Sequence, residues 1–344
     1  MNAKARVSQL PNSSGFSRQD ILVYTAVLAL GWLLVVVGAS VGIAQTTPLP
    51  GSDPVSTAAL VTEGRAVYRS ACASCHGISG DGLGPTARHM NPAPRDFTSG
   101  VFKFRSTPSG ALPTDQDLFR TVSAGVPGTW MPAWEKLLSE RQRWAVVEYV
   151  KTLVPDYAMG FGDEEPLPLP GQPSGATARE GRQVYLMLGC AKCHGVGAHG
   201  NGPSAGTLTD DWDQPIRPYD FTRGGYKNGG RAEDLYRTLR TGLFGTPMPA
   251  FEPGVVLFAG GSQSDLSSVQ SGLGATELSA LRAYLESQPD RAELDEMAPP
   301  ERDAIAERRL WSLVAYLQSL ARPRDFFFRL FVENPNLTPA QESQ

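Results

Sequence analysis

The chain reads Cys72-Ala73-Ser74-Cys75-His76 and, 118 residues further on, Cys190-Ala191-Lys192-Cys193-His194. Both stretches fit C-x-x-C-H, the pattern of covalent heme attachment. Two thiols about one helical turn apart each add to one vinyl group of the same porphyrin, and the next residue sets an imidazole under the iron. Cys72, Cys75, Cys190 and Cys193 are all the cysteines the chain has, beside four histidines. They are too few and too clustered for a disulfide scaffold. A C-x-x-C pair also serves in thioredoxin-like chemistry or as half of a zinc site. Neither use requires a histidine directly after each pair, and the pairs of a zinc ribbon lie far closer together. The expectation is therefore two covalently attached hemes c, with His76 and His194 as proximal ligands.

An iron that only carries electrons takes a second axial ligand, and methionine opposite histidine raises its potential. Two segments qualify: Gly125-Val-Pro-Gly-Thr-Trp-Met131-Pro132-Ala133-Trp134 and Gly242-Leu-Phe-Gly-Thr-Pro-Met248-Pro249-Ala250-Phe251. Met131 and Met248 stand 55 and 54 residues after their histidines. Each lies in a Gly/Pro-rich loop, away from the helical spacing of routine core packing, and the following proline stiffens the loop. The metal ligands expected are thus His76, Met131, His194 and Met248. Met90 is a weaker candidate because its context is not repeated, and His89 and His199, on turns after the motifs, are expected as solvated side chains rather than as replacements for methionine.

The repetition extends well beyond the motifs. Gly64-Arg-Ala-Val-Tyr68 returns as Gly181-Arg-Gln-Val-Tyr185, Gly82-Leu-Gly84-Pro85 as Gly200-Asn-Gly202-Pro203, and Asp96-Phe97-Thr98 as Asp220-Phe221-Thr222. Asp117–Trp134 and Asp234–Phe251 share ten identities in 18 positions without a gap. A duplicated all-α unit follows. Its first helix spans about 60–74 and carries the cysteines at its end; short helices at 114–124 and 232–241 precede the methionine loops. The carbonyls of Pro85 and Pro203 are expected to accept from Nδ1 of His76 and His194. The first unit closes with a helix over 139–153, where Trp144, Val147 and Val150 make a packing stripe. The pattern around Trp144 and Tyr149 reappears around Trp311 and Tyr316, which places an insert of about 50 residues at about 252–306. A helix at 276–287 is the rival closing element.

Outside the repeat, Ile21–Ala44 carries no charge in 24 positions. At 1.5 Å per residue it spans a hydrocarbon core of about 30 Å. Lys4, Arg6 and Arg18 precede it, so residues 1–20 are expected in the cytoplasm and the rest on the periplasmic side of the inner membrane. A cleaved signal peptide gives the same compartment. The organisation expected is an anchor at 21–44, a linker at 45–57, one heme domain at 58–154, a Pro-rich linker at 155–176, a second heme domain at 177–322 and a tail at 323–344. That tail holds Phe326-Phe327-Phe328-Arg-Leu-Phe331. With 41% hydrophobic and 19% charged residues, the chain can build cores, and a net charge of −4 argues against a nucleic-acid coat. That charge averages two weakly basic units, +3 and +2, with an insert of −7. The acidic insert is a candidate surface for steering a basic partner such as a small soluble cytochrome.

On these residues the chain resembles the class I-like diheme cytochromes c over about 58–322. The resemblance implies an all-helical carrier in which Cys72, Cys75, Cys190 and Cys193 form thioethers, His76 and His194 are proximal, and Met131 and Met248 are distal. The partners expected of such a carrier are redox proteins, namely a quinol-oxidising donor and a terminal oxidase or reductase. A membrane-anchored diheme cytochrome resembles, further, the cytochrome subunit of cbb3-type oxidases and the cytochrome c partner of a respiratory nitrate reductase. The expected role is non-catalytic electron transfer. The rivals are a diheme enzyme of peroxidase or thiosulfate-oxidising type and a docking subunit of a larger complex.

Overall fold

A computed structural model of the chain describes residues 54–258 and 272–321. Every described residue lies in one compact unit, 53–344. The expected anchor, cytoplasmic stretch and aromatic tail lie outside the described residues. Among the described residues no helix is long and apolar enough to cross a membrane. Their regular elements are all helices, joined by long irregular segments, and among the described residues extended chain is paired only at one antiparallel bridge, Thr209 to Pro215.

In the first half, α1 (Pro54–Ala71) is followed by a one-turn α2 (Ala73–His76), α3 (Asp115–Ala124), α4 (Glu140–Lys151) and the short α5 (Pro155–Ala158). Two expectations are corrected here. The helix begins at Pro54, so the last residues of the expected linker at 45–57 are helical, and α1 ends before Cys72 instead of carrying both cysteines. The caps explain two of the starts. Thr114 accepts from the Asp117 N–H while the Asp117 carboxylate accepts from the Thr114 N–H, and Ser139 and Gln142 do the same for α4.

The second half repeats the plan with α6 (Ala178–Met187), α7 (Ala191–His194) and α8 (Ala232–Thr241). It then adds α9 (Pro253–Phe258), α10 (Ala275–Glu286) and α11 (Arg291–Glu296) before α12 (Pro299–Leu320). The closing helix is identified by a crossing that leaves no room for a side chain. A Cβ on Gly64 would stand 1.8 Å from the Ala145 carbonyl oxygen, and a Cβ on Gly181 would stand 1.8 Å from that of Ser312. Ala145 follows Trp144 as Ser312 follows Trp311, so α12 is to α6 what α4 is to α1. The rival α10 also touches α6, through Glu277 on Arg182 at 2.8 Å, but it does not take the glycine crossing.

Aromatic stacking repeats as well. Phe119 lies on Trp144 with ring centroids 4.0 Å apart, and Tyr236 lies on Trp311 at 4.6 Å. The insert is part of the second core: Val256, Leu257, Leu281 and Leu294 are buried in one cluster with Leu235, Trp311 and Leu313. Some of its acids act locally, Asp290 and Glu293 in the cap of α11 and Asp295 against Arg291 at 3.0 Å.

The two halves are in contact. Arg105, fully buried, donates to the carbonyls of Phe102 and Pro108 in its own half and to Thr241 O of the other at 2.7 Å. Arg120 reaches Asn228 Oδ1 at 3.2 Å and Asp234 at 3.6 Å. The Arg95 guanidinium lies over the Trp212 ring, 4.5 Å from its centroid. The Pro-rich segment at 155–176 lies between the two halves in the chain and touches the first. Tyr157 donates to Pro113 O and the Leu167 N–H to Ser106 O.

Candidate functional site

Each C-x-x-C-H stretch is a single helical turn set after a break. The His76 N–H donates to Cys72 O at 2.9 Å and the His194 N–H to Cys190 O at 2.8 Å. The turn ends at a glycine in both halves, Gly77 and Gly195, with the same φ of 78° and ψ of 157°. Tyr68 and Tyr185, buried, donate their hydroxyls to Gly77 O and Gly195 O.

The proximal histidines find their carbonyls elsewhere than expected. His76 Nδ1 lies 3.0 Å from Arg95 O and His194 Nδ1 lies 2.9 Å from Tyr219 O, not on Pro85 or Pro203. A carbonyl only accepts, so Nδ1 carries the proton and the Nε2 lone pair is left for a metal. The repeated glycines explain the delivery. A Cβ on Gly82 would meet Pro94 O at 2.9 Å, and one on Gly200 would meet Pro218 O at 2.4 Å, so the chain bearing Arg95 and Tyr219 passes close against these two positions. Asp96 and Asp220 then fold the backbone under the ring by accepting from the N–H and hydroxyl of Thr98 and Thr222. This sets Phe97 and Phe221 each 4.6 Å, centroid to centroid, from its histidine. Burial pushes both imidazole pKa values down, which favours the neutral, metal-binding form.

The thiols are unlike those of a redox pair. All four cysteines are free, and burial pushes Cys72 and Cys190 up to about 12. A thioredoxin-type centre needs a lowered thiol pKa. Among the described residues no group of three or more His, Cys, Asp or Glu is placed to hold a metal ion.

The methionine loops are built alike. The Val126 N–H donates to Met131 O at 3.0 Å and the Leu243 N–H to Met248 O at 3.1 Å. Thr129 and Thr246 donate to Val126 O and Leu243 O, both at 2.7 Å, and accept from the N–H of Met131 and Met248. Met131 lines one cavity together with Cys72, Cys75 and His76; Met90 reaches the same cavity. Met248 and Cys190 pack, partly buried, against the second core. His89 and His199 are exposed, His89 beside Arg88 and His199 near Asp220.

The residues fit a porphyrin. The first cavity is walled largely by apolar side chains, among them Phe97, Val122, Val126 and Val150. On its wall the indole N–H of Trp134 is buried and finds no acceptor among the described residues, as do those of the paired Trp144 and Trp311.

Residues 59–150 match the family model of cytochrome c oxidase, cbb3-type, subunit III, and residues 178–289 match that of cytochrome c. Among solved structures, a chain of the Kuenenia stuttgartiensis reducing HAO-like protein complex is 37% identical with a TM-score of 0.55. The likeness covers 76% of this chain and 96% of that one. This chain belongs to the cytochrome c family. A comparison with curated proteins finds no match. Two cytochrome c domains imply heme c as the cofactor of this multiheme cytochrome. The second family match stops at residue 289, short of α12, although the glycine crossing assigns the closing role to α12.

Proposed function

We propose that this cytochrome relays electrons between a quinol-oxidising donor and a terminal oxidase or reductase, on the outer side of the membrane into which 21–44 inserts. Cys72 and Cys75, and Cys190 and Cys193, would hold two hemes c by thioether bonds. His76 and Met131 would ligate the first iron, and His194 and Met248 the second. Heme c, when bound, supplies a one-electron ferric/ferrous couple. The chain's own residues orient the ligands. Arg95 O and Tyr219 O fix the imidazole tautomer, Phe97 and Phe221 restrict the ring plane, and Thr129 and Thr246 preform the methionine loops.

The observation that carries this reading is that the imidazole–carbonyl pair and the methionine loop are each built twice, with matching hydrogen bonds. The purified full chain should carry two covalent hemes, both low-spin in the ferric state and both showing Met-to-iron charge-transfer absorption. Met131→Ala and Met248→Ala should each remove one share of that absorption; retention of the full band in both variants refutes the ligand sets. A high-spin resting ferric signal or rapid peroxide turnover refutes the carrier reading. Release of the chain from membranes by alkaline carbonate refutes the anchor.

The likeness to a chain of a reducing HAO-like complex supports a second reading, in which the cytochrome is a subunit of a larger redox enzyme. Native electrophoresis after mild solubilisation, stained for heme, separates the two. A heme band that migrates with an oxidoreductase supports the subunit reading, and one that migrates as the chain alone supports the carrier.

A further inference from the structure

Lys103 and Lys227 occupy the same place in the repeat, each seven residues after the aspartate of Asp96-Phe97-Thr98 or Asp220-Phe221-Thr222. They belong to different halves, yet both line the cavity that holds Cys72, Cys75, His76 and Met131. Neither has a hydrogen bond or ion pair among the described residues.

Two like charges on the wall of a largely apolar cavity repel each other and lose hydration. Desolvation holds Lys103 down to about 8, with Arg95 and Lys227 adding repulsion against one favourable carboxylate, Asp210. Lys227 is exposed by surface area, but surrounding protein still lowers its pKa by desolvation. Such an arrangement calls for an anion between the two ammonium groups.

Neighbouring residues point both lysines at the junction of the halves. Phe102, next to Lys103, is buried in the first core, and Arg105 is tied to Thr241 O of the second half. On the other side Tyr226 donates to Leu317 O, and Asn228 accepts from Arg120 of the first half. Each lysine therefore has an anchor in its own core and another across the junction.

We propose that Lys103 and Lys227 form a carboxylate-binding seat for the propionates of the first heme, so that the second half sets the potential of the heme held by the first. The inference rests on the proposed function and adds to it a residue, Lys227, that acts on a heme outside its own domain. A cation beside the porphyrin favours the ferrous state, which carries one positive charge fewer than the ferric. Removing that cation lowers the midpoint.

The experiment is optical redox titration of the full, heme-loaded chain, with the first heme assigned from the Met131→Ala variant. Lys227→Gln should favour the ferric state of the first heme about tenfold, a fall of ~59 mV for one electron. The second heme should move less, and Lys227→Arg should remain near the parent. Loss of first-heme loading in Lys227→Gln, restored in Lys227→Arg, also supports the seat. Lys103→Gln reports the same seat without touching the second half. An unchanged first-heme midpoint in a fully loaded Lys227→Gln chain overturns the proposal, and so does an equal shift in Lys227→Arg. Failure of the proposed function is distinct, because it shows in the parent chain as absent covalent heme.

Discussion

In the first half the buried side chains fall into two small clusters, one around Tyr68, Val146 and Tyr149, the other around Phe102, Leu118 and Val147. In the second half they form one continuous cluster, to which α9, α10 and α11 contribute Val256, Leu257, Leu281 and Leu294. The contrast is sharp because the chemistry-bearing parts are so alike. The imidazole-to-carbonyl distances differ by a tenth of an ångström, and the glycines that end the two motif turns share the same backbone angles. The difference teaches that the ligand cradle and the core are separable. One cradle is served by a minimal core that a porphyrin completes, the other by a core thickened with extra helices.

Deleting the attachment sites tests that separation most severely. Cys72→Ala with Cys75→Ala should abolish covalent heme in the first half, and Cys190→Ala with Cys193→Ala should do so in the second, each halving the heme per chain. The structural consequences should differ. The first half should lose hydrogen-exchange protection across α1, α3 and α4, whereas α6 and α12 of the second should retain most of theirs. Each fully buried aliphatic or aromatic side chain contributes roughly 1.5–3 kcal/mol, and the insert helices supply several that have no counterpart in the first half. Equal loss of protection in the two double variants would break the comparison.

The glycine crossings come next. Gly64→Ala and Gly181→Ala each drive a methyl onto a backbone oxygen 1.8 Å away, which forces a helix pair apart. Overpacking of this kind costs about 1–3 kcal/mol, and backbone on both sides leaves no flexible side chain to yield. Thermal unfolding should show comparable destabilisation of each half. A mild effect at Gly181 alone would mean that α12 does not close the second half as α4 closes the first.

Much of this was legible in the sequence, and the exceptions have physical causes. The motifs, the methionine loops, the helices before them and the displaced closing helix all depend on local or repeated patterns, and they stand where expected. The carbonyl partners of His76 and His194 were misread because a glycine-rich turn announces a close approach without naming the chain that approaches. The signal was present in the repeat, where Pro94-Arg95-Asp96 and Pro218-Tyr219-Asp220 precede the shared Phe-Thr. The contact of the Pro-rich linker with the first half was not legible, because composition reports the stiffness of a segment and not the surface it lies on. The pairing of Lys103 with Lys227 was hidden for a third reason. Their equivalence is written in the sequence, but their convergence on one cavity is a property of how the halves meet.

The smallest expected effect concerns another pair of repeat equivalents, Arg120 and Arg237. Each sits three residues after an aspartate of its own half, Asp117 or Asp234, at 3.5 and 3.6 Å. Arg120 alone is also seen to cross the junction, to Asp234 and Asn228. Its side chain is 26% exposed, so water screens part of the attraction. Partly exposed ion pairs contribute about 0.2–1 kcal/mol. Arg120→Ala should therefore weaken the association of the halves by about 1 kcal/mol or less, read as faster proteolysis within 163–174 at unchanged heme content. Arg237→Ala, which removes a contact internal to the second half, should leave that cleavage rate at the parent value. If both variants cleave alike, the same residue type at the same repeat position performs the same task in both halves, and the asymmetry of the junction must lie with Arg105 and its bond to Thr241 O.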